Sequence, residues 1–409
     1  MAKVLLINKF NYAKGGADGY FLGLADLLQA NRWDAVKFCM ASEHNLPDIN
    51  EDLFVSQVDF HRPSAHDLLR LPLRMIYSFE AARKLKKLIR QEQPDIVHVH
   101  NIYHQLSPSV LVAAKKFNLP IVMTVHDWKL ICPNYNMFDR QGSAEETCDN
   151  LWHCVTRRSV NHSYLRSLLA VIEFYLHHRV FKFYERLVDV YLAPSQFVKD
   201  RLVAHGYPAE KIKVLPLFID AQKMTPDFRP GDYVLFVGRL VKEKGFILLL
   251  EALEKTDHNI KLKIAGLGPE YKQLEQLIKD KKLTGRCELV GPKFGHDLLE
   301  LVRGARLLVV PSVWQEIFGL VSLEAQALGK PVLAADIGGL PETLKNQISG
   351  WLFKAGDAQA LAEKLNQLYF DKQKLETAGR AGRALMITNF SAEGHFRDLE
   401  KVYREQMRK

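Results

Sequence analysis

A chain of 409 residues is long enough for about two or three domains, and its 47% hydrophobic and 25% charged residues are ordinary proportions for a soluble globular protein. Lys+Arg of 56 against Asp+Glu of 47 leaves a net charge of +9 and a pI of about 9.1; that suits a phosphorylated ligand, an anionic membrane surface or nucleic acid, and equally a mildly basic enzyme. No apolar run approaches the ~18–20 residues of a helical membrane span, and five cysteines, odd and sparse, exclude a secreted disulfide framework.

Met1-Ala2-Lys3 leads straight into an apolar strand, Lys3–Asn8, so no signal peptide is expected and the cytoplasm is the default location. A Gly-rich turn, residues 11–19, opens a helix expected over Tyr20–Asn31, and Val36–Met40 reads as the second strand. After a polar stretch with few signals come a basic helix, Glu80–Gln93, the strand Ile96–Val99, the helix Ser109–Phe117 and the strand Ile121–Val125. Residues 157–187 interleave Arg, Lys and His with Tyr, Phe and Leu at helical spacing. They read either as one long helix packed on a sheet or as a basic amphipathic surface for anionic lipid, and Leu68–Arg90 has similar character. The strand Asp189–Ala193 and the helix Gln196–His205 follow, with a crossover at Ile212–Ile219 and a polar linker to Asp232.

The pattern then restarts. Strands are expected at Tyr233–Val237, Leu262–Ala265, Glu288–Val290, Leu307–Val310 and Val332–Ala335, with helices near 246–255, 269–282 and 296–304 between them. A further helix begins near Gly319 and is stopped by Gly329 and Pro331, and the tail from Ser391 is a charged helix. Strands alternating with helices of this length predict two Rossmann-like, doubly wound α/β domains, residues 1–220 with 391–409 and residues 221–390, and a ligand cleft between them.

Chemistry-bearing residues collect after the strands, where open α/β sheets bind ligands. Glu316 lies in the loop after Leu307–Val310 and Glu324 on the helix that follows; Gly319 between them permits close backbone approach, and the helix start offers N–H groups to an anion. Carboxylates suit sugar hydroxyls and a helix start suits phosphate, so the pair reads as a sugar-nucleotide site. Gly238-Arg239 and Lys244-Gly245 follow the Tyr233–Val237 strand without P-loop spacing; Arg239 and Lys244 can both address a diphosphate, or form a solvated basic turn. Gly266 ends the next strand, where a glycine admits a ligand or makes a plain turn. Gly15 and Gly16 occupy the first βα turn but lack G-x-G-x-x-G spacing, which argues against a nicotinamide enzyme. His126 ends a strand and is placed to project into the cleft. Two metal readings stay open without clear spacing: His98, His100 and His104, and a zinc set from Cys132, Cys148, His153 and Cys154.

Taken together, these residues resemble the retaining, GT-B-fold glycosyltransferases of family 4. The likeness runs over nearly the whole chain. It is most specific from Pro311-Ser312 through Glu316-x-Phe318-Gly319 to Glu324 and Gly338-Gly339-x-Pro341-Glu342, which looks like the family's E-x7-E signature. Gly238-Arg239 with Lys244-Gly245, the Gly15-Gly16 turn, residues 94–100 and His126-Asp127 also match. The resemblance implies that Arg239 and Lys244 hold a donor diphosphate, that Glu324 binds ribose hydroxyls, and that Glu316 with the amides around Phe318, Gly319 and Leu320 orients the donor sugar. It implies that Gly16 lets backbone approach the phosphate, that His126 lies near sugar and acceptor, and that the last helix crosses back onto the first domain. The expected reaction is hexosyl transfer with retention from a nucleotide-diphosphate sugar to a glycan or lipid-linked acceptor in polysaccharide or glycolipid synthesis, peripheral to the inner membrane face. No convincing Asp-x-Asp motif is present, so no metal or other cofactor is expected, and no aromatic platform supports nucleic-acid binding. A GT-B epimerase and a sugar-nucleotide-binding subunit without turnover are the alternatives. Leu217, Asp18 and Ile317 depart from residues frequent in the family, and they blur the acceptor side most.

Overall fold

In the computed structural model, residues 1–57, 72–138, 150–160 and 163–408 are described. They form two compact units. One takes the chain up to Leu215 and again from Phe396; the other is Pro216–His395, where the sequence expectation was 221–390.

The first unit is built on β1 (Lys3–Ile7), β2 (Asp34–Phe38), β3 (Ile96–Val99), β4 (Ile121–Thr124), β5 (Val190–Ala193) and β6 (Ile212–Val214). All are parallel, in the order β2-β1-β3-β4-β5-β6. The second unit holds β7 (Val234–Val237), β8 (Leu262–Ala265), β9 (Cys287–Gly291), β10 (Leu307–Val310), β11 (Val332–Ala335) and β12 (Gly350–Phe353), in the order β12-β11-β10-β7-β8-β9. Counted from its own first strand, that is the Rossmann order with its crevice at β7/β10, and the first unit reverses direction at β1/β3. Strands such as Val-Leu-Phe-Val (β7) and Leu-Leu-Val-Val (β10) are apolar throughout because both faces are covered. In the second unit Val234 and Phe236 enter one core, with Phe246, Leu249 and Leu365, while Tyr233 and Leu235 enter the other, with Val302 and Leu328.

Several elements differ from expectation. The first helix runs Gly16–Ala30, beginning directly at the glycine pair rather than at Tyr20. Residues 212–214 are strand β6, not crossover, and β12 with the helices Ala358–Tyr369 and Lys372–Asn389 complete the second unit. Residues 157–187 are not one helix. The helix Leu151–Thr156 ends in a turn with Arg158 at φ 52°, Ser163 caps a new helix, Tyr164–Tyr175, and a π-turn over 176–180 precedes the short helix Phe183–Leu187. The last helix, Ala392–Met407, starts from a Ser391 cap in the second unit and ends in the first. There the Tyr403 hydroxyl lies 2.6 Å from His98 Nδ1 and its ring packs on Trp33.

Candidate functional site

In the second unit the loops after β7 and β10 are pressed together at the crevice. Gly245 sits at φ 72°, and a Cβ there would overlap the Pro311 carbonyl, so only glycine lets the two loops close. That contact puts Lys244 against Glu316. The Lys244 ammonium lies 2.6 Å from Glu316 Oε1, the Ser312 hydroxyl donates to the same oxygen at 2.7 Å, and Lys244 also lies 5.2 Å from the centre of the Trp314 ring. Burial alone would push the Glu316 carboxyl up; the ammonium and the Ser312 hydroxyl outweigh it and hold it below the ordinary range. Its backbone is pinned too. The Gly339 amide donates to the Glu316 carbonyl at 2.8 Å, and a Cβ on Gly338, at φ 62°, would come within 2.5 Å of the Glu316 backbone. Glu316 is therefore a charged, buried acid with one orientation.

Arg239 stands differently. Its side chain is 61% exposed, with Glu243 at 4.0 Å as a loose partner, so only one of the two expected cations is engaged with protein. Gly238 ends β7 with its amide on the Ala265 carbonyl. The space a Cβ would need at Gly266 is taken by the backbone of Gly238, so the turn there requires glycine. Phe318 is buried against Phe390, with ring centres 5.9 Å apart. Gly319 is the N-cap of the Leu320–Ala327 helix and offers no side-chain cap, so the first-turn donors of that helix are left to other partners. Glu324 projects from the helix partly covered; burial pushes its carboxyl up to about 7, and no side-chain hydrogen bond from the described residues holds it.

In the first unit, Gly15 is an extended N-cap and Gly16 the first helical residue. Asn8, just beyond β1, ties the crevice together: its amide donates to Asp18 at 3.0 Å and its carbonyl accepts the Asn101 amide at 3.2 Å. Asp18 is buried, and its carboxyl is raised by that burial. His126 follows β4. Its Nε2 lies 3.0 Å from His100 Nδ1, the two rings stack, and Tyr20 packs on both. Burial lowers His126 to about 3, so it is a neutral hydrogen-bonding group at physiological pH and not a cation. The sequence reading gave no role to Asn8, Tyr20 or Asn101, which belong to no spacing motif, nor to Ser312, which it quoted only within the matched stretch; three-dimensional proximity reveals all four.

The open metal readings gain no ligand set. His98 lies between Tyr403 and Thr124 Oγ1, while His104 pairs with Glu173 at 3.2 Å. Cys132 is disulfide-bonded and Cys154 is a buried free thiol; Cys148 lies outside the described residues. Among the described residues no group of three or more His, Cys, Asp or Glu is placed to hold a metal ion.

With that geometry in hand, the sequence profile described as Glycosyltransferase Family 4 matches residues 14–223, more than half of the chain, and Glycosyl transferases group 1 matches 223–385. The chain belongs to glycosyltransferase family 4. AmsK of Erwinia amylovora, an amylovoran biosynthesis glycosyltransferase, is 30% identical over 226 residues, which are 52% of this chain and 56% of that protein's own length. An uncharacterized glycosyltransferase of Methanocaldococcus jannaschii is 27% identical over 331 residues, 80% of each chain. The crystal structure of HepE from Anabaena in complex with UDP and glucose superimposes with a TM-score of 0.70 at 20% identity, covering 99% of this chain and 100% of that one. That likeness establishes the GT-B fold for this family 4 glycosyltransferase, whose two parallel sheets of six strands each follow the same architecture.

Proposed function

We propose that this glycosyltransferase moves a hexose, with retention, from a nucleotide-diphosphate sugar to a glycan or lipid-linked acceptor in polysaccharide or glycolipid synthesis, working peripherally at the inner face of the membrane. The carrying observation is the Lys244–Glu316–Ser312 cluster at the β7/β10 crevice. A nucleotide diphosphate leaves as an anion, and fixed cations stabilise that charge as it develops. Lys244 is held in place by Glu316, and exposed Arg239 is available to the outer phosphate oxygens. No metal or other cofactor is required on this reading, because the two side chains supply the positive charge. Glu324, nearly balanced between its protonated and ionised forms, accepts hydrogen bonds from the ribose hydroxyls. Glu316 and the amides of Phe318, Gly319 and Leu320 orient the sugar. Gly15 and Gly16 allow the first helix start to meet phosphate, and neutral His126 bonds a sugar or acceptor hydroxyl. A named role of AmsK in amylovoran biosynthesis supports a polysaccharide product, and HepE structures with UDP and with UDP-glucose support a uridine-type donor.

The test is transfer from a panel of nucleotide sugars by wild type, Lys244→Ala and Glu316→Ala, with the product's anomeric configuration read by NMR. Loss of transfer in both variants with an unchanged circular dichroism spectrum supports the reading. Retained turnover in both defeats the site assignment, and an inverted product defeats retention.

A further inference from the structure

The Tyr164–Tyr175 helix of the first unit buries a mixed face and exposes an apolar one, where a surface helix normally turns its polar face outward. Its buried positions are Ser167, Ala170, Glu173 and Phe174. The Ser167 hydroxyl accepts the Val160 amide at 3.0 Å, and Glu173 carries the Lys129 ammonium at 2.9 Å and His104 at 3.2 Å. The exposed positions are Tyr164, Leu165, Leu168, Ile172 and Tyr175. At 3.6 residues per turn these five fall within one sector of about 100°, a continuous stripe along the helix. Leu165 is 66% exposed; Trp152 on the preceding helix and Phe181 after the π-turn are also exposed. A contiguous apolar surface of this kind marks an interaction site.

The charges around the stripe say what it meets. Between residues 151 and 187 the cations are Arg157, Arg158, Arg166, Arg179, Lys182 and Arg186. The carboxylates there are only Glu173, buried in its ion pair, and Glu185, which His178 Nδ1 approaches at 3.2 Å. The Arg158 guanidinium lies 4.0 Å from the centre of the Tyr164 ring, so cation and aromatic share one end of the stripe. An apolar stripe with tyrosines at both ends and cations beside it fits the boundary between headgroups and acyl chains of an anionic bilayer. We propose that this face docks on a membrane carrying anionic lipid and so brings the transferase to a lipid-linked acceptor. The inference rests on the lipid-linked form of the acceptor reading, but its test requires no turnover.

Purified full-length protein is sedimented with vesicles of phosphatidylcholine alone and of phosphatidylcholine with an equal amount of phosphatidylglycerol, over a range of salt. The expected result is binding to the anionic vesicles that weakens as salt rises, with little binding to the neutral ones. Leu165→Ser with Ile172→Ser lowers that binding at least tenfold, and Arg166→Gln or Arg179→Gln lowers it about fivefold each. All four positions lie outside the proposed donor and acceptor groups, so turnover with a water-soluble acceptor stays unchanged. Equal sedimentation with both vesicle types, or binding unchanged in the double variant, overturns the proposal. It is also overturned if analytical ultracentrifugation shows self-association that Leu165→Ser abolishes, because a second copy then covers the face. Absence of both vesicle binding and self-association overturns it in favour of cover by another part of the chain. Vesicle binding without turnover of any nucleotide sugar leaves this proposal standing and defeats the proposed function alone.

Discussion

The strand ends of the two units are built from opposite chemistry. In the second unit the crevice holds ionised groups: Lys244 paired with Glu316, and Arg239 exposed beside them. In the first, His126 against His100 and the Asn8 side chain bonded to Asp18 and Asn101 are uncharged, and burial pulls the neighbouring Lys9 and Asp127 toward neutrality. Formal charge suits a diphosphate, while neutral donors and acceptors suit hydroxyls, which gain little from a net charge. On the proposed function, a donor-holding unit and a hydroxyl-handling unit would differ in charge in this way.

The largest effect expected from breaking the comparison is catalytic. Lys244→Ala should lower kcat/KM by about 10²–10³, the size seen when one preorganised donor is removed, with the donor KM rising as binding weakens. His126→Gln, which keeps a neutral hydrogen-bonding group, should lose far less than His126→Ala. Steady-state kinetics on the three variants orders them; equal losses for His126→Gln and His126→Ala would remove hydrogen bonding as the function of that side chain. Next in size is a stability effect. Gly245→Ala places a Cβ into the Pro311 carbonyl at a left-handed φ and should destabilise the second unit by about 3 kcal/mol, read by denaturant titration.

A smaller, sharper difference lies in pH. With the Glu324 carboxyl at about 7, the ionised fraction rises from about a tenth at pH 6 to about nine tenths at pH 8, so donor affinity should rise about ninefold over that interval. Glu324→Gln should flatten the dependence; calorimetric binding at both pH values decides it. The first unit shows its pH dependence in stability instead. His126 and His177 are lowered by burial to about 3 and about 4, against an ordinary 6.5. As pH falls through 6.5 the unfolded chain takes up protons that the folded chain refuses. Their stabilising contribution is therefore full above about pH 6.5 and is lost toward pH 4, by about 1.4 kcal/mol per pH unit for each histidine. Thermal melts from pH 7 to pH 4.5 read this slope, and His177→Gln should reduce it.

Much of this architecture is legible in the sequence, for physical reasons that vary with the element. β7, β8, β10 and β11 are apolar runs bounded by glycine, proline or charge, so periodicity and punctuation place them within a residue or two. β6 and β12 are edge strands with weak signals of their own: β6 is three residues with Lys213 at its centre, and β12 opens on glycine. The break inside residues 157–187 depends on one left-handed arginine and a serine cap, neither of which interrupts the spacing of apolar residues. At the site, Glu316 and Lys244 are legible as residue types, but their pairing joins positions 72 apart in the chain. Gly338 carries no chemistry of its own; it matters because the Glu316 backbone occupies the space its Cβ would need. The same holds for Gly266, where the Gly238 backbone occupies the space a Cβ would need. The neutral state of His126 follows from burial, which no single-sequence pattern reports.

The central claim, that the charged crevice of the second unit holds a nucleotide-diphosphate sugar, is tested most directly by thermal shift of wild type and Lys244→Ala against a panel of nucleotide sugars. A ligand at 100 times its Kd should stabilise the wild type by about 2.7 kcal/mol and leave Lys244→Ala nearly unmoved. No shift in the wild type with any nucleotide sugar, or an equal shift in Lys244→Ala, would contradict it.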